Sequence, residues 1–399
     1  MRVRNYRLWA GGALVSNIGT WMQRTAQDWL VLTELTDHNA SAVGLVMALQ
    51  FGPQLLLLPW TGTAADRFDR RKLMMFTQSL LGLLAFALGL LTLTGYVQLW
   101  HVYVFAFIFG CTAALDMPVR QTFVGDLLKD EDLPNGIALN STSFNSARMI
   151  GPALAGLLIA AVGTGWAFLI NGLTYAAVLC SLFLMRPQEL QLSERALKAR
   201  GSFVEGLRYV RSRSELLAML LMLSLIGTFG MNFPIFISTM SVTVFETDAR
   251  GFGVLSSFVA VGTVIGALLA ARRQSPSLNT LRSGALVFGL GCALAALAPG
   301  YASFAAALVL IGIAAMTVMN TSNSLMQLGT ERSLRGRVMA LRMAVVMGGT
   351  PIGAPIVGWV ADSFGPRFAL GVGATAGFAA ALVATLYCQR QSSGVEQRR

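Results

Sequence analysis

The chain has 399 residues, of which 55% are hydrophobic and only 12% are charged, and its mean hydropathy is +0.62. A water-soluble domain needs more surface charge than this, so the composition excludes one and indicates a polytopic membrane protein. Since about twenty residues cross a bilayer, the length accommodates about twelve spans and no large soluble domain.

The positive charge of the chain reflects membrane topology. The net charge is +11, but all 30 Lys and Arg residues except Arg24, Arg250 and Arg367 fall in clusters between alternate apolar runs. Such one-sided clusters are typical of cytoplasmic loops. We therefore expect a multi-pass protein of the plasma (inner) membrane with both termini in the cytoplasm, and no nucleic-acid partner.

Twelve apolar runs are predicted to be membrane-spanning helices. Their approximate bounds are 8–33, 42–64, 73–94, 100–118, 136–162, 165–185, 216–240, 251–271, 282–298, 301–326, 338–362 and 366–388. We expect an N-terminal six-helix bundle at 1–185, a linker at 186–215, a C-terminal six-helix bundle at 216–388 and a cytoplasmic tail at 389–399. In the linker, Phe203, Leu207 and Val210 recur at i, i+4 and i+7, which indicates an amphipathic helix, either on the inner membrane surface or in solvent.

The first span carries a polar face. Asn17, Thr20, Arg24 and Asp28 are spaced by three, four and four residues and share one side of a helix, with Gln27 beside them. A charge inside a span costs ~2.5–3.5 kcal/mol on insertion scales, which makes these residues functional candidates. They either line a central cavity or fix the first helix to a neighbour, and Arg24 and Asp28 can pair at i, i+4.

The fourth span offers a second intramembrane acid. Asp116 lies near the end of the predicted helix, just before Pro118 and Arg120. A carboxylate removed from water there can take up and release a proton. We interpret Asp116 either as a proton carrier, like Asp28, or as the structural partner of Arg120.

Polar residues in the seventh and tenth spans are substrate candidates. Pro234 is predicted to kink the seventh helix, and Asn232 beside it either contacts the substrate or belongs to a purely structural kink. In the tenth span Thr317, Asn320 and Thr321 lie on one side, where they bind polar substrate groups or join helices by hydrogen bonds.

The two halves of the chain look like a repeat. A shift of 202 residues places Gly156 on Gly358 and Gly163 on Gly365, so that the fifth span corresponds to the eleventh. A parallel duplication of six-helix units that binds a substrate near the bilayer midplane is the architecture of the major facilitator fold.

The loop between the second and third spans carries a family resemblance. Gly62, Asp66, Arg67, Arg70 and Arg71 match the signature loop of the major facilitator superfamily, and the six-plus-six layout resembles that superfamily over the whole chain. The resemblance implies an all-α polytopic membrane protein with twelve transmembrane helices in two pseudo-symmetric six-helix bundles.

Two further segments resemble parts of this superfamily. One, in the fifth span, is similar to the Gly-Pro motif of proton-coupled antiporters and consists of Arg148, Gly151, Pro152 and Gly156. The other, 335–367, is similar to the exporter branch that contains the enterobactin exporter and the macrolide efflux proteins. The fourth span departs from the pattern, because it reads Ala106-Phe-Ile-Phe-Gly110 where many proton-coupled members carry a buried arginine. The resemblance therefore does not identify the residue that carries the proton.

The signature loop is expected to form half of a gate. Asp66 would face the positive N-terminal end of the eleventh span, an attraction of ~0.3–2 kcal/mol. Arg67 or Arg70 would pair with Asp116 or Asp126 at the end of the fourth span. The resemblance implies that such contacts fasten the two halves on the cytoplasmic side.

The resemblance implies a secondary active transporter that exports a small amphipathic compound, such as a drug, a siderophore or another metabolite, by alternating access and in exchange for protons. A uniporter or an importer on the same fold is the alternative. We expect no enzyme, because no His cluster or nucleophile with its base is visible, and no metal or cofactor. The expected partners are a small-molecule substrate, the proton and the lipid bilayer, and we expect a monomer.

Overall fold

A computed structural model describes residues 3–57, 60–61, 68–191, 203–272, 275–332 and 334–396, and these residues form helices and no strand. The helices are α1 (Arg4–Trp29), α2 (Ala40–Leu56), α3 (Arg70–Leu93), α4 (Leu99–Leu127), α5 (Leu133–Val162), α6 (Thr164–Leu184), α7 (Phe203–Ser212), α8 (Ser214–Val244), α9 (Ala249–Ala271), α10 (Leu278–Ala296), α11 (Tyr301–Leu328), α12 (Arg335–Phe364) and α13 (Pro366–Glu396). A π-helical segment, Leu30–Leu35, follows α1. Within α8, one π-helical segment lies at Ile226–Gly230 and another, Met240–Val244, ends the helix.

All twelve predicted spans are present as helices. Ten of them, α3 to α6 and α8 to α13, are long and apolar enough to cross a membrane. The other two are α2, a shorter apolar helix, and α1, whose polar face lowers its hydropathy. Many large apolar side chains point outward, among them Leu83, Phe183 and Phe368, which are 64–65% exposed in the protein alone. Lipid is the solvent that suits such a surface.

The helices form two compact units. Unit 1 comprises Met1–Ala199 with Thr247–Ser257, and unit 2 comprises Arg200–Glu246 with Phe258–Arg399. In unit 1 the helix α1 packs on α5 and α6, while α3 packs on α4 and α6. In unit 2 the helix α8 packs on α12 and α13, while α10 packs on α11 and α13. In both units the first span thus packs on the fifth and sixth spans, and the third span packs on the fourth and sixth.

Glycines at equivalent positions support the predicted repeat. α5 ends at Gly163 with φ 90°, and α12 ends at Gly365 with φ 100°, a backbone region that favours glycine. Within each unit the fifth span also crosses the first at a glycine. A Cβ on Gly151 would lie 2.5 Å from Trp21 Cβ, and a Cβ on Gly353 would collide with the carbonyl oxygen of Thr228. Gly151 and Gly353 are related by the same shift of 202 residues as Gly163 and Gly365.

The predicted end of the fourth span at 118 is wrong. α4 continues through Pro118 to Leu127. Its extra turns are stabilised by burial of Phe123 and Leu127 in an apolar cluster that includes Trp9 of α1. Because of this extension, Arg120 lies inside α4 rather than in a loop, and Asp116 is well inside the helix rather than near its end.

The amphipathic helix predicted in the linker is formed by α7. Val210 is fully buried in unit 2, whereas Leu207 is 40% exposed. Glu205 Oε1 lies 2.8 Å from Arg337 Nη1 in the first turn of α12, and Gly206 allows the close approach of the Arg337 backbone. α7 is therefore fastened to the beginning of α12.

Candidate functional site

The signature loop is described only in part. Gly62, Asp66 and Arg67 lie outside the described residues. Asp69 accepts a hydrogen bond from the backbone N–H of Lys72 at 2.9 Å and thereby caps α3.

Arg70 and Arg71 fasten α3 to two other helices of unit 1. Arg70 Nη1 lies 2.6 Å from Asp126 Oδ1 of α4, so that, of the two acids predicted as partners, Asp126 is the one that Arg70 contacts. Arg71 Nε and Nη2 donate to the carbonyl of Leu182 at 2.9 and 2.6 Å, in the last turn of α6, where unpaired carbonyls favour a cation. The described cations of the loop therefore join α3 to α4 and α6.

A buried ion pair in α4 is surrounded by hydrogen bonds from α1 and α3. Arg120 Nε lies 2.9 Å from Asp116 Oδ2, one helical turn away. Thr77 Oγ1 and Gln78 Nε2 donate to Asp116 Oδ1 at 2.5 and 2.8 Å. Arg120 Nη1 donates to Asn17 Oδ1, and Nη2 donates to Gln78 Oε1, both at 2.9 Å. The side chains of Asp116 and Arg120 are 9% and 19% exposed, so the pair depends on these partners to compensate for lost hydration.

Two more hydrogen bonds connect the polar face of α1 to α6. Thr20 Oγ1 lies 3.0 Å from Tyr175 Oη, and Asn171 Nδ2 donates to Gln23 Oε1 at 2.5 Å. Gln78, Asn171 and Tyr175 were absent from the predicted site. Their sequence signal is an isolated polar side chain within an apolar span, which is costly unless it finds a partner.

Arg24 and Asp28 do not form the ion pair that their spacing allows. No contact within 4.0 Å joins their charged atoms among the described residues. The guanidinium of Arg24 instead lies over the rings of Trp21, Phe51 and Phe109. An Arg four residues before an Asp is the weaker orientation on a helix, and the rings offer a competing interaction. Asp28 is 8% exposed and has no hydrogen bond from the described residues.

The Gly-Pro motif of α5 lies where this helix is closely packed. Gly151 contacts α1, as described above, and a Cβ on Gly156 would lie 2.7 Å from Gly253 Cα of α9. The carbonyl oxygen of Pro152 would lie 2.8 Å from a Cβ on Gly253. Arg148 is half-buried. Three of the four motif residues thus permit close helix contacts within unit 1.

In unit 2 the predicted kink is a break in α8. The helix is interrupted at Met231 and Asn232, immediately before Phe233 and Pro234. Asn232 is fully buried, and its Nδ2 donates to the carbonyl of Thr228 at 2.8 Å. Its Oδ1 has no hydrogen-bond partner in the part of the chain that the structure describes.

The polar side of α11 is only partly accessible. Thr317 and Thr321 are buried, whereas Asn320 is half-buried. Thr317 Oγ1 is bonded to the carbonyl of Ile313 within its own helix, at 2.9 Å. Arg342 of α12 donates to the carbonyl of Met319 at 2.9 Å, next to Asn320. Among the described residues, Asn320 is thus the member of this side that combines partial exposure with a side-chain amide that makes no hydrogen bond.

Comparison with known proteins identifies relatives over most of the chain. A model of the family described as transmembrane secretion effector matches residues 2–397. The staphyloferrin A transporter of Staphylococcus aureus is 24% identical over 354 residues, which cover 87% of each chain. Macrolide efflux protein A of Streptococcus pyogenes is 24% identical over 374 residues, 91% of each chain. An enterobactin exporter of Shigella flexneri is 26% identical over 333 residues, 82% of this chain and 78% of the relative.

Solved structures share the fold. A bacterial homologue of the human lysosomal transporter Spinster superimposes with a TM-score of 0.77 over 98% of this chain and 97% of its own, at 14% sequence identity. A bacterial homologue of the iron transporter ferroportin gives a TM-score of 0.75 over 97% of this chain and 99% of its own, at 16% identity. The predicted fold class and the resemblance to the exporter branch are confirmed.

Proposed function

Since the chain belongs to the transmembrane secretion effector family, whose members are major facilitator transporters, we propose that it exports a small amphipathic compound by alternating access in exchange for protons. Two of its relatives are named for the export or efflux of a siderophore or an antibiotic, which supports this direction of transport. The observation that carries the proposed proton coupling is the burial of two acids in unit 1, Asp28 and Asp116, in different surroundings; a third buried acid, Asp126, is paired with Arg70.

Asp28 is the better proton carrier of the two. Asp116 is held by Arg120 and by two hydrogen-bond donors, and these contacts compensate its carboxylate for lost hydration. Asp28 is buried without an ion pair or a hydrogen bond among the described residues, and an unpaired charge in such a place is costly. Proton binding removes that cost, so Asp28 can couple its charge to the opening and closing of the transporter.

The test compares Asp28→Asn and Asp116→Asn in everted vesicles, with a cargo found by screening macrolides, dyes and siderophores on cells with and without a protonophore. We expect Asp28→Asn to abolish proton-driven transport but to retain exchange of labelled for unlabelled cargo, which needs no proton. Asp116→Asn should mainly reduce the amount of folded protein. Asp130→Asn, in an exposed turn, is the control. Proton-driven transport that survives both Asp28→Asn and Asp116→Asn contradicts the proposal.

The proposal includes a topology and a gate. The clustered cations support cytoplasmic termini and a cytoplasmic signature loop. The proposed transporter is a monomer with six-helix bundles at 1–185 and 216–388.

The gate is proposed for the signature loop. Arg70 and Asp126 join the α3 end of the loop to α4. Asp66, which lies outside the described residues, would contact the second bundle only when the cavity opens outward. Asp66→Asn should then increase the inward-open population and slow transport with little loss of folded protein. Unchanged labelling of cysteines introduced on both sides of the membrane contradicts the gate, and Asp130→Asn is again the control.

A further inference from the structure

Arg24 is the centre of an aromatic cluster that joins three helices of unit 1. Its Cζ lies 5.1 Å from the ring centroids of Trp21 and Phe51 and 5.6 Å from that of Phe109, which belong to α1, α2 and α4. Phe144 of α5 meets Trp21 edge-on at 5.8 Å. Each ring attracts the guanidinium through its negative face. The rings fix the position of the cation but offer its N–H groups no oxygen acceptor.

The hydrogen-bonding capacity of this cluster is unused. Nε of Arg24 is completely buried without an acceptor, and no hydrogen bond or ion pair from Arg24 exists among the described residues. Gln27, three residues further along α1, is 2% exposed, and its Nε2 also lacks an acceptor among the described residues. A buried donor without a partner is destabilising because it has lost its hydrogen bonds to water. Arg24 as a whole is half-buried, so part of its side chain remains accessible.

A carboxylate meets these requirements. Its two oxygens match the fork of N–H donors on a guanidinium, and an aromatic or aliphatic body attached to it would pack on the rings. A cationic ligand would be repelled by Arg24, and a neutral one would not supply the anionic acceptor that a guanidinium binds most strongly. We infer that Arg24, Gln27 and the rings of Trp21, Phe51 and Phe109 form a subsite for the acidic group of the cargo. Given the export proposed above, the cargo is an amphipathic organic anion.

Three probes that differ only in charge test this subsite: 2-naphthoate, 2-naphthamide and 2-naphthylmethylammonium. Their binding to the full-length protein in nanodiscs is measured by calorimetry. We expect naphthoate to bind about tenfold or more tightly than the other two, as a charged hydrogen bond implies. Arg24→Gln should remove this preference and leave naphthamide affinity unchanged, while Arg24→Lys should keep part of it because the charge remains without the fork. Arg208→Gln, an exposed cation of α7, is the matched control.

Naphthamide binding by Arg24→Gln shows whether the variant is folded. If it is not, Phe51→Leu and Phe109→Leu keep the charge but remove rings that hold it, and each should weaken naphthoate binding more than naphthamide binding. Equal affinities for the three probes, or a naphthoate preference that persists in Arg24→Gln, overturn the subsite. No naphthoate binding at millimolar concentration overturns it as well.

Export is measured separately, as release of each probe from proteoliposomes under a proton gradient. A naphthoate preference that depends on Arg24 without release of any probe overturns the proposed export and leaves the subsite. Release of naphthoate at a rate that Arg24→Gln does not change overturns the subsite and leaves export.

Discussion

The first spans of the two units, α1 and α8, occupy equivalent places in the repeat but differ in chemistry. α1 is a continuous helix up to Trp29 and carries Arg24 and Asp28 in its buried part. α8 has no charged residue after Glu215, is interrupted by one π segment and by a break before Phe233, and ends in a second π segment. The two units therefore share the glycines at which their first and fifth spans cross, while the side chains of their first spans differ.

This difference predicts separate tasks for the two units. The groups proposed above to respond to protons or to an anionic ligand, Asp28 and Arg24, lie in unit 1, where the pair of Asp116 and Arg120 is also surrounded by hydrogen bonds. In unit 2 the break at Asn232 leaves backbone groups outside the regular helix pattern, and such breaks are where transporter helices bend or meet a substrate. We expect mutations of charge to act through unit 1 and mutations of helix shape to act through unit 2.

The largest effect is expected from Arg120→Gln. Removing the guanidinium leaves Asp116 as a buried charge without its ion-pair partner, and such losses cost ~3–5 kcal/mol. The free energy of unfolding is measured by SDS titration in mixed micelles. The double variant with Asp116→Asn should recover part of the loss because the unpaired charge is gone.

The matched control for Arg120→Gln is Arg186→Gln. Arg186 pairs with Glu189 at 3.0 Å, but the two side chains are 63% and 42% exposed, so the loss should stay below ~1 kcal/mol. Equal losses of unfolding free energy in Arg120→Gln and Arg186→Gln would show that the buried pair contributes no more to stability than an exposed pair.

A smaller effect is expected from alanine at the two equivalent glycines. In Gly151→Ala the new methyl group meets Trp21, and in Gly353→Ala it meets the backbone of Thr228, so each should lose ~1–3 kcal/mol in the same titration. The control is Gly336→Ala, because no heavy atom lies within 4 Å of a Cβ there and alanine favours the helix by up to ~1 kcal/mol. A loss in one unit only would contradict the equivalence of the two crossings.

The smallest effect is expected from Tyr175→Phe. The variant loses the hydrogen bond to Thr20 but keeps the ring that packs in unit 1, so the loss of unfolding free energy should be ~0.5–1.5 kcal/mol. Tyr96→Phe is the control, since Tyr96 is 75% exposed and should change nothing measurable. A loss well above that of Arg120→Gln would place the main polar support of α1 on α6 rather than on α4.

Local patterns in the sequence were enough to predict the number of spans, their order, the repeat and the polar face of α1. Hydropathy, helical spacing and clustered cations depend only on neighbouring residues, because the bilayer imposes the same length and polarity on every span. The charged loop was recognisable for the same reason. The end of α4 was not, because burial of Phe123 and Leu127 against other helices keeps the chain helical beyond Pro118.

Only the tertiary structure decided which polar groups meet. Arg120 and Asn17 are 103 residues apart in the chain, and Gln23 and Asn171 are 148 apart, so no local pattern connects them. The same holds for Arg24. Its spacing from Asp28 allows an ion pair, but its guanidinium lies over rings contributed by α1, α2 and α4. The apolar surroundings of a span make a partner necessary for a polar residue, whereas the packing of the helices determines which partner lies within reach.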